Sequence, residues 1–376
     1  MVNLLNYLKE HQQQMEDTLL RLVEAESPSN DKKLVDQCGV VLQKQFEQLI
    51  SGQVDVIEKD EVGNQYRFTY GTGSEQILIL GHYDTVWDQG ALPIRKQDGK
   101  LYGPGVFDMK GGLTVTLWAM KTLKEAGIVG NRKVVFLVTS DEEIGSHHSH
   151  ELIKQEAKKS AMVIVPESSI SPKGAVKTQR KGIGLFQLQV RGVPVHAGIN
   201  PWDGASAIDE LALQIADFKK LDDREKGISI NIGTISGGTR KNVVAAYAEA
   251  DIDVRFETKE QAEMLEEALL NRPTFNERTT VEMLGGINRY PLERSESVFD
   301  LYLQLKEIAA SHGYELEEGA SGGGSDGNFT AGVGIPTIDG LGPVGDGAHA
   351  EHEHVELENL AYRAALIAEL IKRNMD

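Results

Sequence analysis

Apolar positions near the start of the chain recur at helical spacing and then at strand spacing. Leucine and valine recur every three or four positions over residues 4–23 and 31–50, which predicts two amphipathic helices. Strand-like runs follow at 54–57, 66–70, 77–80, 133–139 and 161–165, with helical patterns at 113–123 and 149–159 between them. Short apolar strands that alternate with helices predict an α/β domain with a largely parallel sheet.

The pattern changes from about residue 177. Longer alternating strands at 185–190, 228–235 and 243–256 have helical patterns at 204–219 and 259–271 between them. Such alternation is typical of an antiparallel sheet with one solvated face. Helix–loop–strand patterning resumes from about 287 and ends in a helix at 355–374. The sequence therefore predicts a discontinuous α/β domain, formed by 1–176 and 289–376, with a smaller α+β domain inserted at 177–288.

The composition limits the binding partners and the cellular compartment that we expect for the protein. The 376 residues include 57 acidic and 39 basic side chains, a net charge of −18, which argues against nucleic acid and membrane partners but permits a small anionic substrate. Cys38 is the single cysteine, so neither an internal disulfide nor a thiolate-rich zinc site is expected. The longest apolar runs fall far short of the ~20 residues that span a bilayer. The N-terminus turns polar too early for a secretory signal. We therefore expect a soluble cytoplasmic protein.

Most of the candidate functional residues lie just after the ends of the predicted strands. Open α/β sheets place ligand sites beyond the carboxyl ends of their strands. The side chains found there, or in glycine-rich loops, are His82, Asp84, Asp108, Asp141, Glu142, Glu143, Glu167 and His349. A set of histidines and carboxylates without cysteine favours a catalytic zinc site, and it also suits two metals bridged by one carboxylate.

Each of these segments also has a plainer interpretation. The glycines around Asp108 match no phosphate-loop pattern and fit a tight turn before a helix. The run 141–143 could be a solvated acidic turn, and the histidines at 147, 148 and 150 fit a polar surface. Near the C-terminus His349, His352 and His354 compete, and one of the three is the plausible ligand.

Nine motifs in order make the sequence recognisable: GHYDTV, GPGVFDMKGG, TSDEEIGS, VPES, GVPVHAG, GGTRKNVV, DVRF, GGGSDG and GAHAEHEHV. Over nearly the whole chain it resembles the co-catalytic zinc aminoacylase/carboxypeptidase family. That family includes glutamate carboxypeptidase, acetylornithine deacetylase, succinyl-diaminopimelate desuccinylase and peptidase T. Among these groups the sequence is most similar to the bacterial glutamate carboxypeptidases.

The resemblance implies a catalytic domain that binds two zinc ions per subunit, for which cobalt or manganese could substitute. His82 and Glu167 would ligate one zinc, Glu143 and His349 would ligate the other, and Asp108 would bridge both. Asp84 would orient His82, and Glu142 would be the general base. The family often has a cis peptide after the bridging aspartate, here Asp108–Met109.

The resemblance also implies that the inserted domain is a lid that forms a homodimer. His196 matches a histidine that reaches a neighbouring active site and stabilises the oxyanion. Asn242 and Arg255 match residues that hold the substrate carboxylate, and Gly323 and Gly324 match a loop that lines the substrate pocket. Arg289 is a further candidate carboxylate contact.

The implied function is zinc-dependent hydrolysis of an amide bond next to a free carboxylate, in N-acyl amino acids or small peptides, as in a glutamate carboxypeptidase. The alternatives within the family are an N-acyl amino acid deacylase and a dipeptidase. Outside it, Ser325 in Gly323-Gly-Ser-Asp-Gly327, followed by Asp339 or Asp346 and His349, formally fits a serine hydrolase. A noncatalytic protein that kept the fold is the third hypothesis.

Overall fold

The computed structural model describes residues 3–376, and its helices follow the amphipathic runs of the sequence. Asp31 caps the third helix, its carboxylate accepting from the N–H of Leu34 at 3.1 Å. The α-helices are α1 Leu4–Glu10, α2 Gln12–Glu24, α3 Lys32–Leu49, α4 Gly111–Glu125, α5 His150–Ala157, α6 Ala207–Phe218, α7 Lys259–Leu270, α8 Glu296–Ser311, α9 Gly327–Gly332 and α10 Leu360–Arg373. None of the described helices is both long and apolar enough to cross a membrane.

The strands are β1 Gln53–Ile57, β2 Gln65–Tyr70, β3 Glu75–His82, β4 Arg95–Gln97, β5 Lys100–Tyr102, β6 Arg132–Thr139, β7 Ser160–Val165, β8 Val176–Arg180, β9 Gly182–Arg191, β10 Ser229–Gly237, β11 Tyr247–Phe256, β12 Thr280–Arg289, β13 Glu318–Ser321, β14 Thr337–Asp339, β15 Gly345–Asp346 and β16 His354–Glu356. Short helical turns cover Pro201–Asp203, Lys219–Leu221 and Leu357–Asn359, and a π-helical turn covers Val106–Lys110.

Contacts divide the chain into two compact units. The first contains Met1–Gln179, Arg294–Ala320 and Ser325–Asp376, and the second contains Arg180–Glu293 and Ser321–Gly324. The inserted unit therefore begins and ends a few residues later than 177–288, and it also includes part of the glycine-rich segment that precedes α9.

The first unit is built on an eight-stranded mixed sheet in the order β1-β2-β6-β3-β7-β14-β8-β13. Strands β6, β3, β7 and β14 pair in parallel, and antiparallel pairs flank this block. The apolar run at 77–80 is wholly buried in β3, and the thiol of Cys38 is buried in α3. A separate small antiparallel sheet has the order β15-β16-β5-β4. The predicted α/β fold is confirmed, with a mixed sheet whose parallel pairing lies among its four central strands.

The second unit is a four-stranded antiparallel sheet in the order β10-β11-β9-β12. Alternate residues of β9 and β11 turn inward, so that Phe186, Leu188 and Ile252 form one core with Leu211 of α6 and Leu265 of α7. This agrees with the predicted α+β domain. The edge strand β12 was not predicted.

Candidate functional site

Parallel pairing aligns the ends of three buried strands in the first unit. His82, the last residue of β3, pairs with Thr139, the last residue of β6, and β7 pairs in parallel on the other side of β3. The segments that leave these strands carry Asp84, the acidic turn at 141–143 and Glu167. Because the strands are parallel, these side chains meet at one edge of the sheet.

Asp108 reaches the same edge from a loop that needs glycine. Gly105 has a φ of 68°, and a Cβ there would lie 2.3 Å from Cγ2 of Thr85. Gly112, in the first turn of α4, lies so close to the chain after β7 that a Cβ would be 1.9 Å from the carbonyl oxygen of Pro166. The glycines therefore permit close packing around Asp108, and the Asp108–Met109 peptide is cis.

One group of potential ligands surrounds His82. Its Nε2 lies 3.3 Å from Oδ1 of Asp108 and 3.4 Å from Oε1 of Glu167. Its Nδ1 faces Asp84, at 3.4 Å from Oδ1 and 3.1 Å from the backbone oxygen. A carboxylate on the far side of the ring orients the imidazole for ligation through Nε2.

A second group surrounds His349. Its Nε2 lies 3.4 Å from Oδ2 of Asp108 and 3.2 Å from Oε2 of Glu143. His349 stands in the left-handed region with a φ of 61°, and its side chain is 53% exposed. The two oxygens of Asp108 thus face different histidines, which places this carboxylate between the two groups.

The atoms of both groups suit metal ligation better than direct hydrogen bonding. Their separations of 3.2–3.4 Å lie at or just beyond the long end of the hydrogen-bond range. Ligand atoms about 2.0–2.1 Å from a tetrahedral zinc lie about 3.3 Å from one another. Nε2 of His82 and Oε1 of Glu143 are also buried and form no hydrogen bond with the described residues. His82, Asp108 and Glu143 form a cluster compact enough to hold one ion.

Without a metal, the histidines compensate the charge of the carboxylates. The neighbouring carboxylates of Asp108 and Glu143 raise the pKa of His349 to about 10. Burial opposes the charged form of His82, but its carboxylate neighbours raise its pKa well above the usual value. Burial raises the pKa of Glu143 to about 7. Burial also opposes ionisation of Asp108, but the two neighbouring histidines lower its pKa.

Asp84 fixes the turn that carries Glu142 and Glu143. Its fully buried carboxylate accepts the N–H of Glu142 at Oδ1 and that of Glu143 at Oδ2, both at 3.3 Å. The hydroxyl of Ser29 donates to Oδ2 at 2.8 Å. Asp84 therefore contacts a histidine of one group and holds the backbone of a glutamate in the other.

Glu353 is a buried site residue to which sequence reasoning gave no role. Its carboxylate accepts the backbone N–H groups of Gly105, Phe107 and Asp108 and the indole N–H of Trp87. Burial raises the pKa of the Glu353 carboxyl, and the N–H donors of Phe107, Asp108 and Trp87 act against that shift. The one local signal was its place four residues after His349.

The remaining predicted residues belong to the second unit. His196 and Asn242 lie on adjoining backbone segments, where the N–H of Ala197 donates to the carbonyl of Asn242 at 3.0 Å. Arg255 forms a two-pronged ion pair with Asp253, with N–O distances of 2.7 and 2.8 Å. The carbonyls of Gly323 and Gly324 both accept from the guanidinium of Arg180.

The other histidines lie elsewhere. His352 is exposed. His354 belongs to β16, where Nε2 lies 3.0 Å from Nζ of Lys100 and the ring packs on Tyr102. His148 lies 3.5 Å from Glu61, and His147 is exposed. These placements fit the polar-surface interpretation of 147–150.

The serine-hydrolase alternative is not supported. Ser325 is 1% exposed, and its hydroxyl donates to Asp339 at 2.7 Å. Nε2 of His349, the histidine that this alternative requires, faces Asp108 and Glu143 instead.

Comparisons with known proteins agree with this fold. The sequence profile of peptidase family M20/M25/M40 matches residues 78–373. The chain is 28% identical over 369 residues to carboxypeptidase G2 of Pseudomonas sp. (strain RS-16), covering 94% of this chain and 88% of that one. It is 29% identical over 314 residues to succinyl-diaminopimelate desuccinylase of Cupriavidus taiwanensis, covering 77% of this chain and 80% of that one. The crystal structure of an aminopeptidase from Bacillus cereus superposes with a TM-score of 0.74 at 24% identity, covering 97% of this chain and 99% of that one.

Proposed function

Because the chain belongs to peptidase family M20/M25/M40 and is a metallohydrolase, we propose that it uses two zinc ions to hydrolyse an amide bond next to a free carboxylate. The observation that carries this proposal is the placement of Asp108, whose two oxygens face His82 and His349 separately. A carboxylate in that position suits a bridge between two metals.

The ligands divide into two sets that share one residue. His82 and Glu167 would hold one zinc, Glu143 and His349 would hold the other, and Asp108 would contact both. Zinc in such a site lowers the pKa of a bound water towards ~7 and polarises the substrate carbonyl.

Glu142 supplies the proton transfers. Its backbone N–H donates to Asp84, as does that of the next residue, the proposed ligand Glu143. These hydrogen bonds fix the position of Glu142 in the turn. We assign its carboxylate to accept the proton of the attacking water and then to deliver it to the departing amine. One positioned carboxyl that performs both transfers is ordinary general acid–base catalysis.

The second unit supplies the contacts to substrate. We assign His196 to stabilise the oxyanion, Asn242 and Arg255 to hold the substrate carboxylate, and Gly323 and Gly324 to line the pocket. Arginine suits a carboxylate because its planar guanidinium makes two parallel hydrogen bonds. Arg255 already makes that contact with Asp253, so a substrate carboxylate would share or replace the pair.

Two relatives favour different substrate types. Similarity to carboxypeptidase G2 favours removal of a C-terminal residue, with an acidic one as the first choice. Similarity to succinyl-diaminopimelate desuccinylases favours N-acyl amino acid deacylation instead. A dipeptidase is the third variant. All three place a free carboxylate beside the scissile amide.

A hydrolysis screen tests the proposal. The enzyme is stripped of metal with a chelator and then reconstituted with zinc, cobalt or manganese. It is incubated with N-acyl amino acids and with dipeptides that have acidic, basic or apolar C-terminal residues. We expect metal-dependent release of a free amino acid, insensitive to a serine-directed phosphonate. Hydrolysis that survives complete chelation, or is blocked by the phosphonate, would contradict it. No hydrolysis with any of these metals would support the noncatalytic alternative.

We also propose a homodimer formed through the second unit. β10 is an edge strand, and it exposes Ile235 while the neighbouring helix α6 exposes Ile208 and Leu213. An apolar edge of this kind suits pairing with a second copy.

Sedimentation of the wild-type protein should give twice the monomer mass, and Ile235→Lys should dissociate the dimer. Val129→Lys, at a 69% exposed position in the first unit, is the matched control. A monomeric wild-type protein would contradict the proposal.

A further inference from the structure

Glu353 joins the loop of His349 to the loop of Asp108. Its Oε1 accepts the N–H of Phe107 at 2.9 Å and that of Asp108 at 3.1 Å. Its Oε2 accepts the N–H of Gly105 at 3.2 Å and the indole N–H of Trp87 at 2.7 Å. The residue is 1% exposed, so these bonds form away from solvent.

This arrangement uses the whole hydrogen-bonding capacity of the carboxylate. Each oxygen of an ionised carboxylate has about two acceptor sites, and each here receives two N–H donors. No oxygen is left for a metal, which separates Glu353 from the carboxylates of the two ligand groups. A proton on either oxygen would face an N–H donor, so the contacts require the ionised form.

We propose that Glu353 is a positioning residue that sets the backbone of the metal-bridging loop, and thereby the placement of Asp108 relative to His349. The proposal rests on the proposed two-metal function. The contacts converge on three turns of chain: the segment after β3 that holds Trp87, the π-helical turn with Asp108, and the turn that begins at Gly347. A Cβ at Gly347 would lie 3.0 Å from the backbone of Glu353, so the turn that carries Glu353 is itself tightly folded.

Glutamine at position 353 tests the contacts directly. Its amide group would place an NH2 against two N–H donors, whichever way the amide is oriented. We expect backbone amides in residues 105–110 of the metal-free protein to exchange with solvent faster in Glu353→Gln, while amides of β6 stay protected. We expect zinc affinity to fall about 10–100-fold, as for other residues that support metal ligands. Emission from Trp87, identified by subtracting the spectrum of Trp87→Phe, should also change.

Glu351→Gln is the matched control, because Glu351 is exposed and lies two residues away. It should behave as wild type in exchange, emission and zinc affinity. Wild-type exchange over 105–110 in Glu353→Gln would overturn the proposal. Faster exchange with unchanged zinc affinity would overturn it as well, because the contacts would then not position a ligand.

The wild-type protein provides a test that does not depend on the variant folding. The amides of Phe107 and Asp108 should be protected in the metal-free wild type, since both donate to Glu353. If they exchange as fast as exposed turns while β3 is protected, the proposal is wrong. None of these measurements uses substrate, so a wild type that hydrolyses no amide would defeat the proposed function and leave this result standing.

Discussion

The backbone N–H of Glu142 donates to Oδ1 of Asp84 at 3.3 Å, so the turn that carries the proposed base is held by a carboxylate buried beneath it. The same oxygen also lies 3.4 Å from Nδ1 of His82. Asp84 therefore links the orientation of a proposed metal ligand to the position of the proposed base.

Replacing Asp84 with asparagine should disturb both residues together. The new NH2 group would face either N–H donors or the imidazole, so the variant should lose about 1–3 kcal/mol of unfolding free energy. Zinc affinity should fall about 10–100-fold. Thermal unfolding and competition with a chelating dye measure the two effects. Ser29→Ala is the control, because it removes one hydroxyl donor and leaves the carboxylate; its smaller effect should be confined to stability. An Asp84→Asn enzyme with wild-type zinc affinity would exclude the linking role.

Replacing Glu142 with glutamine should affect turnover and not metal content. The amide keeps the size of the side chain but cannot accept and return a proton, so kcat should fall about 10²–10⁴-fold. Metal analysis of the purified variant should match wild type. Glu151→Gln, at an exposed position of α5, is the control for a lost negative charge. Full activity of Glu142→Gln would remove Glu142 as the base.

Much of this site could be predicted because its residues lie just beyond strands with strong patterns. The apolar runs that end before His82, Thr139 and Glu167 mark buried parallel strands, and parallel pairing alone brings the segments after these strands together. His349 was different. Spacing did not distinguish it from His352 and His354, and the choice came from the family resemblance.

The features that could not be predicted depend on contacts between distant residues. Glu353 receives N–H groups from residues 245–266 positions away, and no periodicity in the sequence records such contacts. β12 is an edge strand with several exposed residues and glycines at 285 and 286, so its alternation is weak. The segment Ser321–Gly324 belongs to the second unit, where Arg180 holds its carbonyls.

Removing the imidazole of His349 should weaken one of the two metal sites selectively. His82, Asp108 and Glu167 keep their mutual contacts in His349→Ala, so one zinc per chain should remain tightly bound while the second binds weakly. Titration calorimetry with zinc separates the two steps. His352→Ala, three residues along the same turn and exposed, should bind two zinc ions as wild type does. Two equally tight sites in His349→Ala would show that another residue completes the second set.

Zinc binding should strengthen as the pH rises, because the metal displaces protons. Neighbouring carboxylates raise the pKa of His349 to about 10, and burial raises the pKa of Glu143 to about 7, against ordinary values of 6.5 and 4.5. Ligands bind metal in their deprotonated forms, so zinc affinity should rise about tenfold per pH unit for each proton displaced.

The stability of the metal-free protein should change in the opposite direction. Both groups bind their protons more tightly in the folded chain than in the unfolded one. The contribution of His349 is complete below about pH 6.5 and is lost as the pH rises through about 10, and that of Glu143 is complete below about pH 4.5 and is lost through about 7. Thermal unfolding of chelated protein and dye competition for zinc, both across this range, measure the two trends. In His349→Ala, both the stability of the metal-free protein and the zinc affinity should depend less on pH at the alkaline end of the range. A zinc affinity that is independent of pH in wild type would mean that these residues carry no protons for the metal to displace.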